Sequence, residues 1–179
     1  MMLARNARHA VFATMAASKG ARRMHTILGA GGAIGAELVK ELARAGQPVR
    51  LVARNPRSVP GATEVVSADI SIPDQAIRAV SGATLVYLLV GLKYDLGIWR
   101  ELWPRIMGNA IEACKRANAS LVFFDNVYMY GKVRGAMTEE TPFNPCSRKG
   151  EIRARIATTL LDEMKAGNIR AMIARSADF

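Results

Sequence analysis

The sequence predicts an α/β protein in which helices cover both faces of a doubly wound parallel sheet, giving three αβα layers. Three observations predict this class. Half of the 179 residues are hydrophobic and only 6% are aromatic, which suits helices packed on a parallel sheet. Short apolar runs alternate with amphipathic stretches from Met24 onward, as in successive βα units. The length is that of one ordinary domain with a single core.

The predicted elements follow one another as strand and helix along the chain. Each strand is a short, mainly apolar run, and each helix carries its apolar residues on one face. The six predicted strands are 25–28, 48–53, 63–68, 84–90, 120–125 and 169–174. The four predicted helices are 33–45, 73–80, 98–117 and 148–166. Right-handed crossovers then make 3-2-1-4-5-6 the natural strand order.

Local signals set several element ends. Gly46 follows the last apolar position of the first helix and suits its C-terminal cap. The run at 84–90 is almost continuously apolar, as expected of a strand buried on both faces. Pro104 lies early in the third helix, where it is expected either to kink the helix or to mark its true start.

The net charge of +10 raises the question of a nucleic-acid partner. Residues 1–23 hold five basic residues and no acid, so half of the net charge lies there. The remainder is spread over helices that also carry Glu and Asp, without interleaved aromatic residues. We therefore predict no nucleic-acid partner. We also predict no membrane partner, because no apolar run approaches the ~18 residues that span a bilayer.

The first residues are interpreted as a basic, disordered leader at 1–23 that precedes a folded domain at 24–179. An Arg-rich, acid-free leader superficially fits a mitochondrial transit peptide. We prefer the alternative that Met24 begins the folded chain, since a strand follows it directly. Cytoplasmic location is therefore expected, with mitochondrial import as the minor alternative.

Cysteine and histidine spacing argues against a metal site. Cys114 and Cys146 do not form a CxxC pair, and His9 and His25 complete no ligand pattern. Cys114 falls on the apolar stripe of a predicted helix and is expected to be a small buried hydrophobic residue. Two unpaired cysteines suit a reducing compartment.

A glycine-rich turn, LGAGGAIG, joins the first strand to the first helix. Gly29 allows a tight turn, Gly32 lets the backbone approach a pyrophosphate, and Gly35 permits close packing of helix on strand. The helix start at Ala33 and Ile34 favours an anion. In this strand-to-helix context the motif predicts a Rossmann fold that binds the pyrophosphate of NAD(P).

The end of the second strand bears on the choice of cofactor. NAD-preferring domains usually place an acid there for the ribose 2′-hydroxyl, whereas this strand ends in Ala53 and Arg54. Because a guanidinium pairs well with a 2′-phosphate, we predict NADP(H) over NAD(H). Asp69, after the third strand, can accept a hydrogen bond from the adenine amino group or act as a turn or N-cap residue.

With GxxGxxG spacing, Asp69 after strand three, FFDNVYMYG after strand five and a terminal IARSADF, the chain resembles the extended or atypical short-chain dehydrogenases/reductases. This is the NAD(P)-dependent epimerase/dehydratase family. The resemblance runs from about Met24 to Phe179 and implies the N-terminal Rossmann part alone, without the C-terminal substrate subdomain. It also implies that Gly91 lies beside the cofactor ribose.

The resemblance implies altered catalytic positions. The family uses a tyrosine general acid/base, a lysine four residues later and a Ser or Thr that polarises the substrate. By this analogy Asn126 stands at the Ser/Thr position, Lys149 at the tyrosine position and Arg153 at the lysine position. Lys149 is a candidate base, or else a cation on a solvated helix face. Tyr128 and Lys132 match YxxxK as a string, but their place at a strand end argues against a catalytic pair.

Two main hypotheses follow, and whether the protein is an enzyme is left open. The first is an atypical NAD(P)-dependent oxidoreductase or epimerase-like protein for a sugar-like or small carbonyl substrate, with Asn126 and Tyr128 near the nicotinamide. The second is a non-catalytic NADP(H)-binding, redox-responsive module. The product of a truncated reading frame is a lesser possibility. Trp99 and Trp103 are expected to be core residues or a dimer face rather than substrate contacts, which leaves a homodimer open.

Overall fold

Six parallel strands form one sheet in a computed structural model that describes residues 23–177. The strands are β1 (His25–Leu28), β2 (Val49–Ala53), β3 (Glu64–Ser67), β4 (Leu85–Leu88), β5 (Ser120–Asp125) and β6 (Ala171–Arg175). The helices are α1 (Ala33–Arg44), α2 (Pro73–Val80), α3 (Leu96–Ala117) and α4 (Arg148–Lys165), with a 3₁₀ turn at Tyr128–Tyr130. The strand order is β3-β2-β1-β4-β5-β6, so the predicted fold class and order are confirmed. The leader predicted at 1–23 lies outside the described residues except for Arg23.

Alternate residues of each central strand point to opposite faces of the sheet. Ile27 and Leu51 pack with Val39 of α1 in one apolar cluster. Their neighbours Leu28 and Val52 belong to a second, larger cluster, which contains buried residues from α2, α3 and α4. This alternation follows from the period of two along a strand, and it places helices on both faces, as the predicted three layers require.

The observed elements differ from the predicted ones in a few places. β4 is shorter than the predicted strand at 84–90, since the chain leaves the sheet after Leu88. β6 begins at Ala171 rather than 169. Pro104 lies inside α3 and does not mark its start, because the Asp95 side chain caps the helix by accepting from the Ile98 amide at 2.9 Å. The buried side chains along α3 offset the hydrogen bond that Pro104 cannot make.

Gly108 offers a test of local stability in α3. It lies in the helix interior, it is exposed, and a Cβ added there would meet no atom within 4 Å. Alanine has a higher helix propensity than glycine by about 1 kcal/mol, so Gly108→Ala is expected to raise the free energy of unfolding by about 0.5–1 kcal/mol. Urea unfolding followed by circular dichroism measures this change. A destabilised variant would contradict the placement of Gly108 on an open helix surface.

Candidate functional site

A cleft of about 900 Å³ opens at the carboxyl ends of the central strands. Its walls come from the turn after β1, the segments that follow β2, β3, β4 and β5, and the first turns of α3. The sheet order reverses between β1 and β4, because successive strands run outward in opposite directions from this pair. Ligands of open α/β sheets bind at this position, so the cleft is the candidate site.

The glycine turn has one face closed and one face open. Gly29 has a φ of +94°, and a Cβ there would lie 2.7 Å from the Val90 Cα, so only glycine lets the turn pack against the end of β4. At Gly35 a Cβ would lie 3.4 Å from the Ala30 Cα, in ordinary contact. At Gly32, which lines the cleft, a Cβ would meet no atom within 4 Å. The turn is thus tight against the protein and open towards the cleft.

The start of α1 presents unopposed amide groups to this cleft. Gly32 is the N-cap residue of α1, and no side chain caps the helix or places an acid in its first turn. Ala33 and Ile34, the first two residues of α1, both line the cleft. Among the helices of residues 23–177, α3 and α4 are capped by side chains and α2 has an acid in its first turn. Only α1 therefore combines free amides with an uncompensated positive dipole end, which favours an anion.

Arg54 and Asp69 line the cleft beyond β2 and β3. Arg54 is exposed, its carbonyl accepts from the Ser67 hydroxyl at 2.8 Å, and its guanidinium makes no ion pair within residues 23–177. The Asp69 carboxylate accepts from the Ser71 amide at 2.9 Å and from the Ser71 hydroxyl at 2.7 Å. The Ser71 hydroxyl lowers the pKa of Asp69, with a smaller contribution from the charge of Arg54. Asp69 therefore has the turn role that was one of its two predicted roles, on the wall of the cleft.

Asn126 and Tyr128 line the cleft together on the opposite side, after β5. The Asn126 side-chain oxygen accepts from the Tyr128 amide at 3.1 Å, which fixes the Asn126 side chain at the start of the 3₁₀ turn. The Tyr128 ring is 39% exposed and lies nearly parallel to the Trp99 ring, with centroids 6.4 Å apart. Lys132 follows Gly131, whose positive φ ends the turn, and it does not line the cleft. The structure thus brings Tyr128 to the cleft without Lys132, and a catalytic role for Tyr128 stays a prediction.

A buried ion pair lies beneath this side of the cleft. Arg153 of α4 donates from Nε and Nη2 to the Asp125 carboxylate at the end of β5, and Arg175 Nε lies 3.7 Å from the other oxygen. Asp125 has no exposed surface and Arg153 is 3% exposed. Burial raises the pKa of the Asp125 carboxyl, and the two guanidinium groups oppose that shift. The position that the resemblance gives to a catalytic lysine is therefore held by an arginine engaged with a buried carboxylate.

Lys149 lies at the rim of the cleft and contacts the segment that follows β4. Its Nζ donates to the Tyr94 carbonyl at 3.1 Å and lies 2.9 Å from the centre of the Tyr94 ring. It is not among the residues that line the cleft. Gly91, in contrast, lines the cleft three residues after the end of β4. Asn126, Tyr128 and Gly91 are thus brought together, and Lys149 stands apart from them.

Trp99 and Trp103 are buried in α3 and also line the cleft. Their expected role as core residues is confirmed, because the chain itself buries both side chains, and a dimer face stays a prediction. The Arg153 guanidinium carbon lies 4.3 Å from the centre of the Trp103 ring. Neither this stack nor the Asp125–Arg153 pair has a local sequence signal, since 28 residues separate the two charges.

No cluster within residues 23–177 is suited to hold a metal ion, and no helix there is long and apolar enough to cross a membrane. His25 lies at the amino end of β1, on the opposite edge of the sheet from the cleft, and its Nδ1 is 3.0 Å from the Tyr87 hydroxyl. Burial lowers the pKa of His25 and raises the pKa of Tyr87 to about 12. Cys114 is buried in α3, as expected, and burial raises the pKa of its thiol to about 12.

The fold and the cleft define a dinucleotide-binding Rossmann domain. The chain belongs to the NAD(P)H-binding family, whose family model matches residues 29–145. This range includes the glycine turn, Arg54, Asp69, Gly91, Asn126 and Tyr128. No curated protein matches the chain in sequence.

Solved structures share the fold at low sequence identity. UDP-glucose 4-epimerase from Brucella ovis in complex with NAD has a TM-score of 0.75 and 18% identity, covering 87% of this chain and 54% of its own. Uronate dehydrogenase from Agrobacterium tumefaciens has a TM-score of 0.74 and 16% identity, and the match covers 83% of this chain and 58% of the dehydrogenase chain. UDP-glucose 4-epimerase from Thermus thermophilus with NAD has a TM-score of 0.72 and 19% identity, covering 85% and 54%. The chain therefore spans a little more than half of the length of these structures, and the resemblance to the short-chain dehydrogenases is confirmed at the level of fold.

Proposed function

We propose that the cleft binds NADP(H), with the pyrophosphate on the turn from Gly29 to Gly35. The observation that carries this proposal is the open face of Gly32 next to the uncapped start of α1. Backbone can approach a ligand closely at a glycine, and the Ala33 and Ile34 amides supply donors for an anion. The residues present therefore suit a dinucleotide, and the match to the NAD(P)H-binding family supports the same assignment.

The order of the strands supports one orientation of the cofactor in the cleft. Arg54 follows β2, so the adenosine half is assigned to the side of β2 and β3, where Asp69 also lies. The nicotinamide half is then assigned to β4 and β5, beside Gly91, Asn126 and Tyr128. Arg54 supports NADP(H) over NAD(H), because its exposed guanidinium has no competing ion pair within residues 23–177.

The reaction that this arrangement supports best is an oxidoreductase or epimerase-like reaction on a sugar-like or small carbonyl substrate. NADP(H), when bound, supplies or accepts hydride. We assign the Asn126 amide as the donor to a substrate oxygen and the Tyr128 phenol as the candidate for proton transfer, because both residues line the cleft. The similar structures include UDP-glucose 4-epimerase and uronate dehydrogenase, which supports a carbonyl or hydroxyl substrate.

A second function is supported by the two altered catalytic positions. Lys149, at the family's tyrosine position, contacts Tyr94 at the rim of the cleft. Arg153, at the family's lysine position, is paired with Asp125. Neither residue therefore has the position expected of the family's catalytic pair. A chain with these features could bind NADP(H) and respond to its redox state without turnover. Oxidation of NADPH in the presence of carbonyl substrates distinguishes the two, because a binding module would show tight binding and no oxidation.

Arg54→Ala tests the assignment of the adenosine half. We expect NADPH to bind about 10- to 100-fold more weakly, because a charge-assisted contact to the 2′-phosphate contributes about 1.5–3 kcal/mol, and NADH binding to change little. Fluorescence titration of wild type and variant with both nucleotides measures this. Arg57→Ala is the matched control, since Arg57 is exposed in the same loop but does not line the cleft.

If Arg54→Ala keeps the preference for NADPH over NADH, Arg54 does not bind the 2′-phosphate. If wild type binds neither nucleotide, the proposed function is wrong.

The domain boundary, the compartment and the oligomeric state stay predictions. We propose that residues 24–179 correspond to the nucleotide-binding part of longer relatives, which agrees with their coverage of 54–58% of the similar structures. A cytoplasmic location remains the expectation from the sequence, and a homodimer is left open.

A further inference from the structure

Four aromatic side chains gather at one end of the cleft. This aromatic wall consists of Tyr94, Trp99, Trp103 and Tyr128, which all line the cleft, although the whole chain has only four Tyr and two Trp residues. Trp99 lies at its centre. Its ring is edge-on to Tyr94 at 5.6 Å and to Trp103 at 6.1 Å, and nearly parallel to Tyr128 at 6.4 Å. Residues from three separate segments thus form one contiguous aromatic cluster, with Trp99 and Trp103 buried behind the exposed Tyr94 and Tyr128.

The outer members of the aromatic wall are exposed. Tyr94 is 69% exposed and Tyr128 is 39% exposed, and both are among the large hydrophobic residues that the described chain leaves open to solvent. Lys149 contacts Tyr94 through its carbonyl and its ring. An exposed aromatic surface inside a cleft is typical of a ligand-binding site.

Several polar groups around the aromatic wall are engaged by the protein itself, whereas the buried Trp103 Nε1 has no hydrogen-bond partner within residues 23–177. The Trp99 indole donates to the Lys93 carbonyl at 2.9 Å, and the Asn126 oxygen accepts from the Tyr128 amide. Arg153 donates to Asp125, and Lys149 donates to Tyr94. A sugar carries a hydroxyl on most of its carbons and would leave many of them unpaired here, which is costly. A flat apolar molecule with a single acceptor oxygen has no such cost.

We propose that the aromatic wall binds a planar, apolar carbonyl compound, namely an aromatic or conjugated ketone or aldehyde. This inference rests on the proposed function, because it narrows the substrate class of the same cleft from sugar-like or small carbonyl compounds to planar ones. The rings supply stacking and edge contacts, and the Asn126 amide at the inner end supplies the donor for the carbonyl oxygen. In this proposal the planar carbonyl compound lies beside the nicotinamide half of NADP(H) and does not occupy the space of the nicotinamide.

The test compares three probes on the full chain, with and without saturating NADP⁺. The probes are acetophenone as the planar ketone, dihydroxyacetone as the hydroxylated ketone and UDP-glucose as the sugar nucleotide. Saturation-transfer NMR gives the Kd of each. We expect acetophenone to bind about 10-fold or more tightly than either hydroxylated probe, both with and without NADP⁺, because each aromatic contact adds about 0.5–1.5 kcal/mol, or about 2- to 10-fold.

Variants locate the binding on the aromatic wall. Tyr94→Ala is expected to weaken acetophenone binding about 5-fold or more, whereas Tyr94→Phe keeps the ring and the affinity. Met172→Ala is the control, since Met172 is exposed on β6 outside the cleft. Tyr94 is mostly exposed, so its replacement leaves the core intact.

Each outcome decides the proposal. The proposal would be overturned if UDP-glucose or dihydroxyacetone bound more tightly than acetophenone. It would also be overturned if Tyr94→Ala left the affinity for acetophenone unchanged. Competition between acetophenone and NADP⁺ would also overturn it, because the aromatic wall would then hold the nicotinamide itself. Failure of the proposed function shows separately as a lack of NADPH binding, and acetophenone binding without NADP⁺ then still decides the ligand class of the aromatic wall.

Discussion

Replacing Asp125 with alanine is expected to lower the free energy of unfolding by about 3–5 kcal/mol, the usual cost of removing one partner from a buried ion pair. Asp125 has no exposed surface, and it is the carboxylate to which Arg153 donates from two nitrogens. Without it, Arg153 would remain buried as an uncompensated charge, and Arg175 would lose its nearby opposite charge. Urea unfolding at neutral pH measures the loss.

A matched double variant separates charge from packing. Asp125→Leu combined with Arg153→Met replaces the pair with apolar side chains, which is often neutral or stabilising for buried pairs. The double variant is expected to recover at least about half of the loss seen in Asp125→Ala. A loss below about 1 kcal/mol in the single variant, or a double variant as unstable as the single, would show that the unpaired guanidinium is not the cause.

Replacing Gly32 with leucine is expected to abolish tight NADPH binding while the fold is kept. Gly32 has an extended backbone with a φ of −103°, which any residue adopts, and an added Cβ would meet no protein atom within 4 Å. The side chain would instead occupy the space assigned to the pyrophosphate. Loss of two or more charge-assisted bonds from backbone amides corresponds to about 100-fold or more in affinity. The free energy of unfolding should change by about 1 kcal/mol or less.

Two other glycines are controls for Gly32→Leu. Gly29→Ala places a methyl group 2.7 Å from the Val90 Cα at a φ of +94°, so it should destabilise the fold in addition to binding. Gly108→Ala should leave NADPH affinity unchanged, because Gly108 lies in α3 outside the cleft. Calorimetric titration with NADPH and urea unfolding on all three variants separate the two effects. Wild-type affinity in Gly32→Leu would mean that the pyrophosphate does not lie on this turn.

The fold could be predicted because its signals are local. The glycine turn, the alternation of apolar and amphipathic runs and the Arg54 position at the end of β2 can each be recognised within a few residues of sequence. Handedness rules then give the sheet order without further information. The helix start of α3 was harder to predict, because Pro104 is a strong local signal that the packing of the whole helix overrides.

The interior of the site could not be predicted because its contacts are non-local. Asp125 precedes the predicted catalytic positions, and only the folded chain shows that Arg153 turns towards it. Trp99 was expected in the core, and its burial agrees, but its contacts with Tyr94 and Tyr128 join segments that are distant along the chain. Periodicity identifies a buried face of a helix and does not tell which part of that face borders a cleft.

The central claim is that the pyrophosphate of NADP(H) lies on the turn at the start of α1. The most direct measurement is a ¹⁵N–¹H correlation spectrum of the full chain recorded during titration with NADPH. We expect the amide signals of Gly32, Ala33 and Ile34 to shift most and to saturate with the same Kd as the fluorescence titration. Saturable NADPH binding that leaves these three amides unchanged would contradict the account.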